Sequence, residues 1–331
     1  MFLAGADAVA RTGIVSAKTA AQIGSAAVDD LASKLLEECE RCHISIATKI
    51  DRLYPERIRP DNSLPAVLFW RGEIACIDGA RPVAVVGTRT PDHYGEQMAI
   101  EFGMRLAESG LLVVSGGARG VDSFAHEGAL MGKGPTVAVL GTGLDVPYPP
   151  ENAALFNRII EKGGCVISEF QPGTEPNEFN FPRRNRTVAA LSEAVVVVQG
   201  GERSGALITA DLAFEMKKQV FALMGNADNM RTAAPLMLRK KGAEMVASPD
   251  EVLAVLNVKA APRRGDGTAG ILFEGDESAV FGGVGAEPVH IDDLAASTGL
   301  PAQKVSSALL ALELKGAVRQ IPGMRYVRAK A

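Results

Sequence analysis

The stretch Pro82-Val83-Ala84-Val85-Val86-Gly87-Thr88-Arg89 decides the fold of this chain. An unbroken apolar run rich in β-branched residues is typical of a strand buried on both faces, and the glycine after it marks a tight turn. The same pattern returns along the chain, with helical spacing of apolar residues between one run and the next. Strands that alternate with helices in this way indicate a parallel sheet with helices on both faces. The later runs cover residues 111–114, 136–140, 165–168, 194–198, 220–223 and 244–246.

The segments between these strands have the period of an amphipathic helix. Met98, Phe102 and Leu106 recur on one helix face, and Gly110 follows as a helix cap. We therefore predict an α/β domain over residues 49–256, with a doubly wound and mostly parallel sheet.

Smaller regions flank this domain on both sides. Residues 1–48 are rich in alanine and have a helical pattern, which predicts a small N-terminal helical region. Residues 257–269 mix proline, glycine and charged residues and predict a flexible linker. In residues 270–331, two helical patterns separated by the turn Gly299-Leu300-Pro301, followed by a hairpin at Pro322-Gly323, predict a winged-helix domain.

Composition limits the classes of protein to which the chain can belong. Its 331 residues carry a formal net charge of −4, which argues against coating of nucleic acid by bulk charge but not against a local basic groove. No apolar run approaches the ~20 residues that cross a bilayer, so we expect no membrane insertion. Four cysteines in a chain of this size predict a reducing cytoplasm rather than a disulfide scaffold.

Cys39-Glu40-Arg41-Cys42-His43 matches the attachment pattern of c-type haem. That attachment requires export, and the N-terminus lacks the charged start and apolar core of a signal peptide. The simpler interpretation is that Cys39 ends a helix and His43 opens a strand. Because the chain has only four histidines and no second pair of cysteines to complete a ligand set, we predict no metal site and no cofactor.

Glycine-rich turns and arginines are predicted to share one edge of the sheet. The carboxyl ends of parallel strands meet at this edge, where ligands bind and where each following helix offers free N–H groups and partial positive charge. A planar guanidinium also matches the geometry of phosphate, so the pattern predicts a row of anion sites longer than one nucleotide needs. The turns are at Gly87, Gly116-Gly117, Gly141-Thr142-Gly143 and Gly200-Gly201; Arg89, Arg119 and Arg203 lie in turns, and Arg183, Arg184 and Arg186 lie in the loop and helix start before the fifth strand.

Sequence motifs of the common enzyme classes do not fit. Gly87 begins no G-x-G-x-x-G motif, and the P-loop and G-x-S-x-G patterns are absent, which argues against dinucleotide enzymes, P-loop ATPases and α/β hydrolases. Asp122 and His126 share one face of the helix after Gly120, as an acid–base pair or, more simply, as a helix cap and a packed side chain. We predict no catalytic residue.

Several of these motifs occur together in one known family, over roughly residues 50–256. They are 83–89 with Tyr94-Gly95, 115–122 with Ala125-His126, 148–152, Ser168-Glu169, 181–186 and 204–210. As a set, they resemble the DNA-processing protein A (DprA, or Smf) family of bacterial transformation. The C-terminal winged-helix pattern also fits many members of that family.

The resemblance implies an extended Rossmann-like domain that binds single-stranded DNA, forms a homodimer and hands the strand to the RecA recombinase during natural transformation, without established catalysis. Arg184 and Arg186 are the strongest candidates for phosphate contact, and Phe181 either stacks on a base or packs in the core. The chain departs from the family at Ala206, where a serine is usual, and over residues 225–236 of the pocket wall. The implied DNA-contacting residues are Gly87, Arg89, Ser115, Gly116, Gly117, Arg119, Gly120, Arg183, Arg184, Asn185, Arg186, Ser204, Gly205 and Thr209.

Two other functions stay open from the sequence. Lonely Guy nucleoside monophosphate hydrolases share this fold and a similar Gly-Gly turn, but the acid of their P-G-G-x-G-T-x-x-E motif is missing after Gly200-Gly201. A duplex DNA regulator would read DNA through the second helix of the winged-helix domain. That helix carries the weakly basic set Gln303, Lys304, Ser306 and Ser307.

Overall fold

The computed structural model describes residues 27–225, 229–262, 275–285, 288–314, 317–321 and 323–328. The chain divides into two compact units between Ala260 and Ala261. Most of the predicted N-terminal region (residues 1–26) and most of the predicted linker (residues 263–269) lie outside the described residues.

Nine strands of the first unit form one sheet, in the order β1-β2-β6-β5-β4-β3-β7-β8-β9. The strands are β1 (Ser45–Thr48), β2 (Val67–Gly72), β3 (Arg81–Val86), β4 (Leu111–Ser115), β5 (Thr136–Leu140), β6 (Cys165–Ser168), β7 (Ala194–Val197), β8 (Gln219–Leu223) and β9 (Glu244–Val246). Strands β3 to β9 run parallel, whereas β2 pairs antiparallel with β1 and with β6. Strand β1 therefore belongs to this sheet, although it lies within residues 1–48, which the sequence assigned to a separate helical region.

Helices cover both faces of the sheet, as predicted for a doubly wound domain. They are α1 (Ala27–Arg41), α2 (Cys76–Gly79), α3 (His93–Glu108), α4 (Val121–Met131), α5 (Ala153–Glu161), α6 (Asn180–Leu191), α7 (Gly205–Glu215), α8 (Ala233–Lys240) and α9 (Pro249–Val255), with short 3₁₀ turns at Pro150–Asn152 and Met230–Thr232. Alternate residues of the central strand serve opposite layers. Val83 and Val85 pack with the core of α3, α4 and α9, whereas Ala84 and Val86 pack with that of α6, α7 and α8.

The parallel strands have the order β6-β5-β4-β3-β7-β8-β9, so the chain builds outward from β3 in one direction and then from β7 in the other. The turns that leave β3 and β7 consequently lead to opposite faces of the sheet and open a crevice between them. In sheets of this type, ligands bind at such a switch point. The run of residues that decides the fold thus also ends at the site.

The second unit confirms the predicted winged helix. Its helices are α10 (Asp276–Gly283), α11 (Ile291–Thr298) and α12 (Ala302–Leu314), and its strands are β10 (Val289–His290), β11 (Val318–Ile321) and β12 (Arg325–Arg328). The strands form an antiparallel sheet in the order β10-β12-β11. Val280, Leu294, Val305 and Leu309 are buried together between the helices. Gly299, with φ +69°, ends α11 in the left-handed conformation that favours glycine.

Among the described helices, none combines the length and the apolar character needed to cross a bilayer.

Candidate nucleic-acid interface

A cavity of about 560 Å³ lies at the switch point, at the carboxyl ends of β3, β4 and β7. The turns after these strands and the first residues of α6 and α7 form its walls. Its lining includes Gly87, Arg89, Gly116, Asn185, Arg203 and Gly205. The structure therefore brings together at one place residues from a stretch of more than a hundred positions, Gly87 to Gly205.

Backbone hydrogen bonds join the turns beneath the cavity. The Val121 amide donates to the Thr88 carbonyl at 3.1 Å, and the Thr88 amide donates to the Gln199 carbonyl at 2.7 Å. Gly120 has φ +74°, and a Cβ there would lie 2.5 Å from the Thr88 oxygen. A Cβ at Gly87 would lie 2.6 Å from a Val121 methyl group. These two glycines allow the turns to approach each other, a structural role that the sequence pattern does not separate from anion binding.

Polar groups of the turn after β4 form hydrogen bonds within the protein. Ser115 is fully buried and its hydroxyl donates to the Val85 carbonyl at 2.7 Å. The Gly116 amide donates to the Asp122 carboxylate at 3.1 Å, so this N–H group is already used. Gly117 has φ +64°, and a Cβ there would lie 2.8 Å from the Phe156 ring. These residues shape the floor of the cavity through internal contacts.

Arg184 is only 5% exposed although it is among the residues that line the cavity, and its contact with phosphate stays a prediction. Its Nη1 donates to the carbonyls of Gly116 and Val139, and its Nε donates to Asn185 Oδ1 at 3.1 Å. Burial lowers the pKa of Arg184 to about 10, so the side chain stays charged at neutral pH. Arg184 therefore ties α6 to the ends of β4 and β5 and places a positive charge beneath the cavity.

The other two arginines of the cluster lie outside the cavity. Arg183 Nε is 2.6 Å from a carboxylate oxygen of Glu169, whose side chain is almost fully buried. Arg186 Nε donates to the Ser63 hydroxyl at 3.1 Å. All three arginines belong to α6, which begins at Asn180, so none of them lies in the preceding loop. Because successive helical residues turn by about 100°, neighbouring arginines face different surroundings.

Arg89 and Phe181 pack against each other at the cavity. The Arg89 guanidinium lies 5.5 Å from the centre of the Phe181 ring, and that of Arg184 lies 5.9 Å from it. The Tyr148 ring is 5.7 Å away from Phe181. Phe181 is half-buried, whereas Arg89 is exposed. The Phe181 ring thus supports Arg89, whose charge faces solvent.

The remaining predicted residues lie around the cavity in different states of exposure. Arg119 is exposed and forms an ion pair with Glu151. The Ser204 hydroxyl caps α7 by accepting from the Ala206 amide at 3.3 Å, and Asn185 Nδ2 donates to the Gly205 carbonyl at 3.4 Å. Thr209 is only 2% exposed. The open side of the site is therefore formed by Arg89, Arg119, Arg203 and the start of α7.

The geometry gives no support to an Asp122–His126 acid–base pair. His126 is fully buried, and its Nδ1 lies 2.7 Å from the hydroxyl of Thr136, which itself donates to the Val113 carbonyl. Burial lowers the pKa of His126 to about 3, so the ring is neutral at physiological pH. The Asp122 carboxylate accepts from the amides of Gly116 and Ala118. Asp122 thus stabilises the turn after β4, and His126 contacts Thr136 of β5.

One group of potential metal ligands lies elsewhere, where α1 approaches the loop after β5. Ligand atoms of Glu38, Cys42 and Asp145 are within 4.8 Å of one another. Glu38 already forms an ion pair with Arg41, and Asp145 accepts from the Gly173 amide. Both carboxylates are consequently partnered within the protein.

The DNA recombination-mediator protein A family model matches residues 45–257, and the DprA winged helix domain model matches residues 260–324. This chain belongs to the DprA family.

Similar proteins occur in several bacteria. Protein Smf from Synechocystis sp. is 35% identical over 332 residues, covering 89% of this chain and 83% of that protein. Protein Smf from Escherichia coli is 37% identical over 286 residues, covering 84% and 75% of the two chains. The resemblance expected from the sequence is thus confirmed over nearly the whole chain.

Solved structures of DprA proteins have the same fold. DprA from Streptococcus pneumoniae superimposes with a TM-score of 0.67 at 33% identity, covering 75% of this chain and 85% of that one. DprA from Helicobacter pylori, whose structure describes a unique mode of single-stranded DNA binding, gives a TM-score of 0.58 at 30% identity and covers 65% of this chain and 97% of that one. The extended Rossmann-like fold and the winged helix are therefore those of the DprA family.

Residues 225–236, which the sequence placed in the wall of the pocket, make contacts that the sequence did not predict. Asn229 Nδ2 donates to Asp92 Oδ2 at 2.6 Å, and Arg231 Nε donates to the Thr90 carbonyl at 2.8 Å. The Gly200 amide donates to the Arg231 carbonyl at 2.6 Å. The described residues of this segment, which exclude 226–228, thus pack behind the Gly-Gly turn through the bond from Gly200 to Arg231. Asn229 and Arg231 bond to residues more than a hundred positions away in the sequence, so local sequence patterns do not predict these contacts.

Proposed function

We propose that this protein binds single-stranded DNA along the carboxyl edge of its large sheet and acts as a mediator of recombination. One observation carries the proposal: exposed Arg89 and Arg203 line the cavity at the switch point of the sheet, and exposed Arg119 lines a small adjoining cavity that shares Arg89 with it. Guanidinium groups bind phosphate through charge and through paired N–H donors. Several such groups in a row follow a sugar–phosphate backbone independently of its sequence.

Within this proposal, the predicted DNA-contacting residues take two roles. Exposed and partly exposed residues contact the strand, whereas buried residues, together with the partly buried Gly87 and Gly120, hold the turns that present them. The contacting set is Arg89, Arg119, Arg183, Asn185, Arg186, Ser204 and Gly205; the supporting set is Gly87, Ser115, Gly116, Gly117, Gly120, Arg184 and Thr209. Arg183 and Arg186, outside the cavity, extend the basic surface along α6 and carry the strand beyond it.

Family membership supports the rest of the proposal. A DprA protein that holds a single strand is expected to act as a homodimer in the cytoplasm and to pass the strand to RecA, including during natural transformation. The single-stranded DNA of the Helicobacter pylori relative supports the choice of ligand.

The two alternatives gain no support from the geometry. The acid of the hydrolase motif is missing after Gly200-Gly201, and Asp122 beneath the cavity is buried and bonded to backbone amides. A duplex reader requires several cations on its reading helix, whereas Lys304 is the only cationic residue of α12 (Ala302–Leu314). We therefore assign DNA binding to the first unit.

The test compares binding of an oligo-dT strand and of a duplex over a range of salt concentrations. We expect the single strand to bind more tightly and Arg89→Ala to weaken binding, with a decrease of about 0.7 in the slope of log K against log salt, the value for one phosphate contact on a single strand. Arg158→Ala is the matched control, because Arg158 is paired with Glu127 on the surface of α4 and α5. Equal affinity for duplex, or equal effects of the two substitutions, would contradict the proposed site.

A further inference from the structure

Phe179 is the most exposed aromatic side chain in the described part of the chain, at 77% exposure. It occupies the N-cap position of α6, directly before the helix that carries the arginine cluster. Its neighbours Glu178 and Phe181 both line the cavity at the switch point. An apolar ring is thus held in water at the rim of the candidate phosphate site.

The backbone around Phe179 is fixed by local hydrogen bonds. The Phe179 amide donates to Asn177 Oδ1 at 2.9 Å, and the Asn180 amide donates to the Asn177 carbonyl at 3.0 Å. These bonds form a tight turn that leads into α6. The ring is therefore presented from an ordered helix start, so a ligand that packs on it needs to order few additional groups.

The other aromatic ring at the cavity is less available. Phe181 is half-buried beneath the guanidinium groups of Arg89 and Arg184 and beside the Tyr148 ring. Phe179 has no comparable neighbour among the ring contacts of the described residues, and most of its surface is open to solvent. The two phenylalanines therefore differ in role, since one supports Arg89 and the other is free to bind.

We propose that Phe179 is a stacking platform for a nucleobase of the bound strand, an inference that rests on the proposed binding of single-stranded DNA. When Arg89 holds a phosphate in the cavity, the adjoining base projects outward across the rim, where Phe179 lies. Every base has a flat π-face, so stacking there tolerates any sequence. Bases in a duplex already stack on both sides, so this ring contributes to the preference for a single strand.

The experiment separates stacking from phosphate binding by the choice of ligand. Binding is measured for an oligo-dT strand and for an abasic strand of the same length, which has the same phosphates and no bases. We expect Phe179→Ala to weaken oligo-dT binding roughly tenfold, the effect of losing one stacked base, and to leave abasic binding and the salt slope unchanged. Phe179→Tyr keeps the ring and retains the affinity.

Ile50→Ala is the matched control, because Ile50 is an apolar side chain with 92% exposure outside the cavity. Unchanged oligo-dT affinity in Phe179→Ala, or an equal loss on both strands, overturns the stacking role. If Arg89→Ala weakens binding while Phe179→Ala does not, the stacking inference is wrong and the phosphate site stands. If Arg89→Ala also leaves binding unchanged, the proposed site itself is wrong.

Discussion

Replacement of Arg184 by alanine should destabilise the first unit strongly. Arg184 donates two charge-assisted hydrogen bonds to the buried carbonyls of Gly116 and Val139. Hydrogen bonds to charged groups contribute about 1.5–3 kcal/mol each, so their combined loss amounts to about 3–6 kcal/mol. Water that enters the vacated space recovers part of this energy, and we expect a decrease of about 3 kcal/mol in the free energy of unfolding.

The assay is urea denaturation of the full chain, followed by circular dichroism, with Arg186→Ala as the control. Arg186 belongs to the same helix and the same arginine cluster, but it is partly exposed and donates to the Ser63 hydroxyl. Its replacement should cost about 0–1 kcal/mol, as is usual for exposed charged side chains. An equal, small effect of both substitutions would refute the structural role of Arg184 and return it to the set of free phosphate contacts.

Three further outcomes follow from the structure. Because burial lowers the pKa of His126 to about 3, the unfolded chain binds a proton below pH 6.5 that the folded protein does not. The free energy of unfolding, measured by denaturation at several pH values, should therefore fall as the pH decreases from 6.5 towards 3. The fall should be less steep in His126→Leu. Glu178→Gln removes a negative charge from the cavity lining and should strengthen oligo-dT binding several-fold at low salt, with the gain lost at high salt. Gly120→Ala should lower the unfolding free energy by about 1–3 kcal/mol, because its Cβ would meet the Thr88 oxygen, whereas Gly205→Ala, with open space around it, should have little effect.

The sequence predicted the architecture well because hydrophobic periodicity reports burial directly. The runs that begin at Val83 and Leu111 are strands with no exposed residue at their centres, and Met98, Phe102 and Leu106 lie on the buried face of α3. The two helices after residue 290 and the final hairpin were found from their turns in the same way. These features depend on neighbours in the sequence, which local patterns describe.

The site was harder to predict, because its side chains depend on contacts between distant segments. The direction of Arg184 is set by the phase of α6 and by the carbonyls of Gly116 and Val139, which lie far away in the chain. Charge alone therefore did not distinguish it from Arg183 and Arg186. Exposure, which marks out Phe179, is likewise a property of the folded surface. The residue types were readable from the sequence, whereas their orientations were not.

The backbone bonds beneath the cavity have a consequence for how the surface can change. They run from Val121 to Thr88, from Thr88 to Gln199 and, in the next turn, from Gly200 to Arg231. Since main-chain groups make these bonds, most side chains above them can be exchanged without loss of the support. The backbone beneath the cavity is therefore preorganised for a ligand, and it tolerates substitution of side chains at the rim of the cavity. A substitution at Glu178 or Phe179 should therefore change the chemistry at the rim of the cavity while the backbone bonds beneath it stay the same.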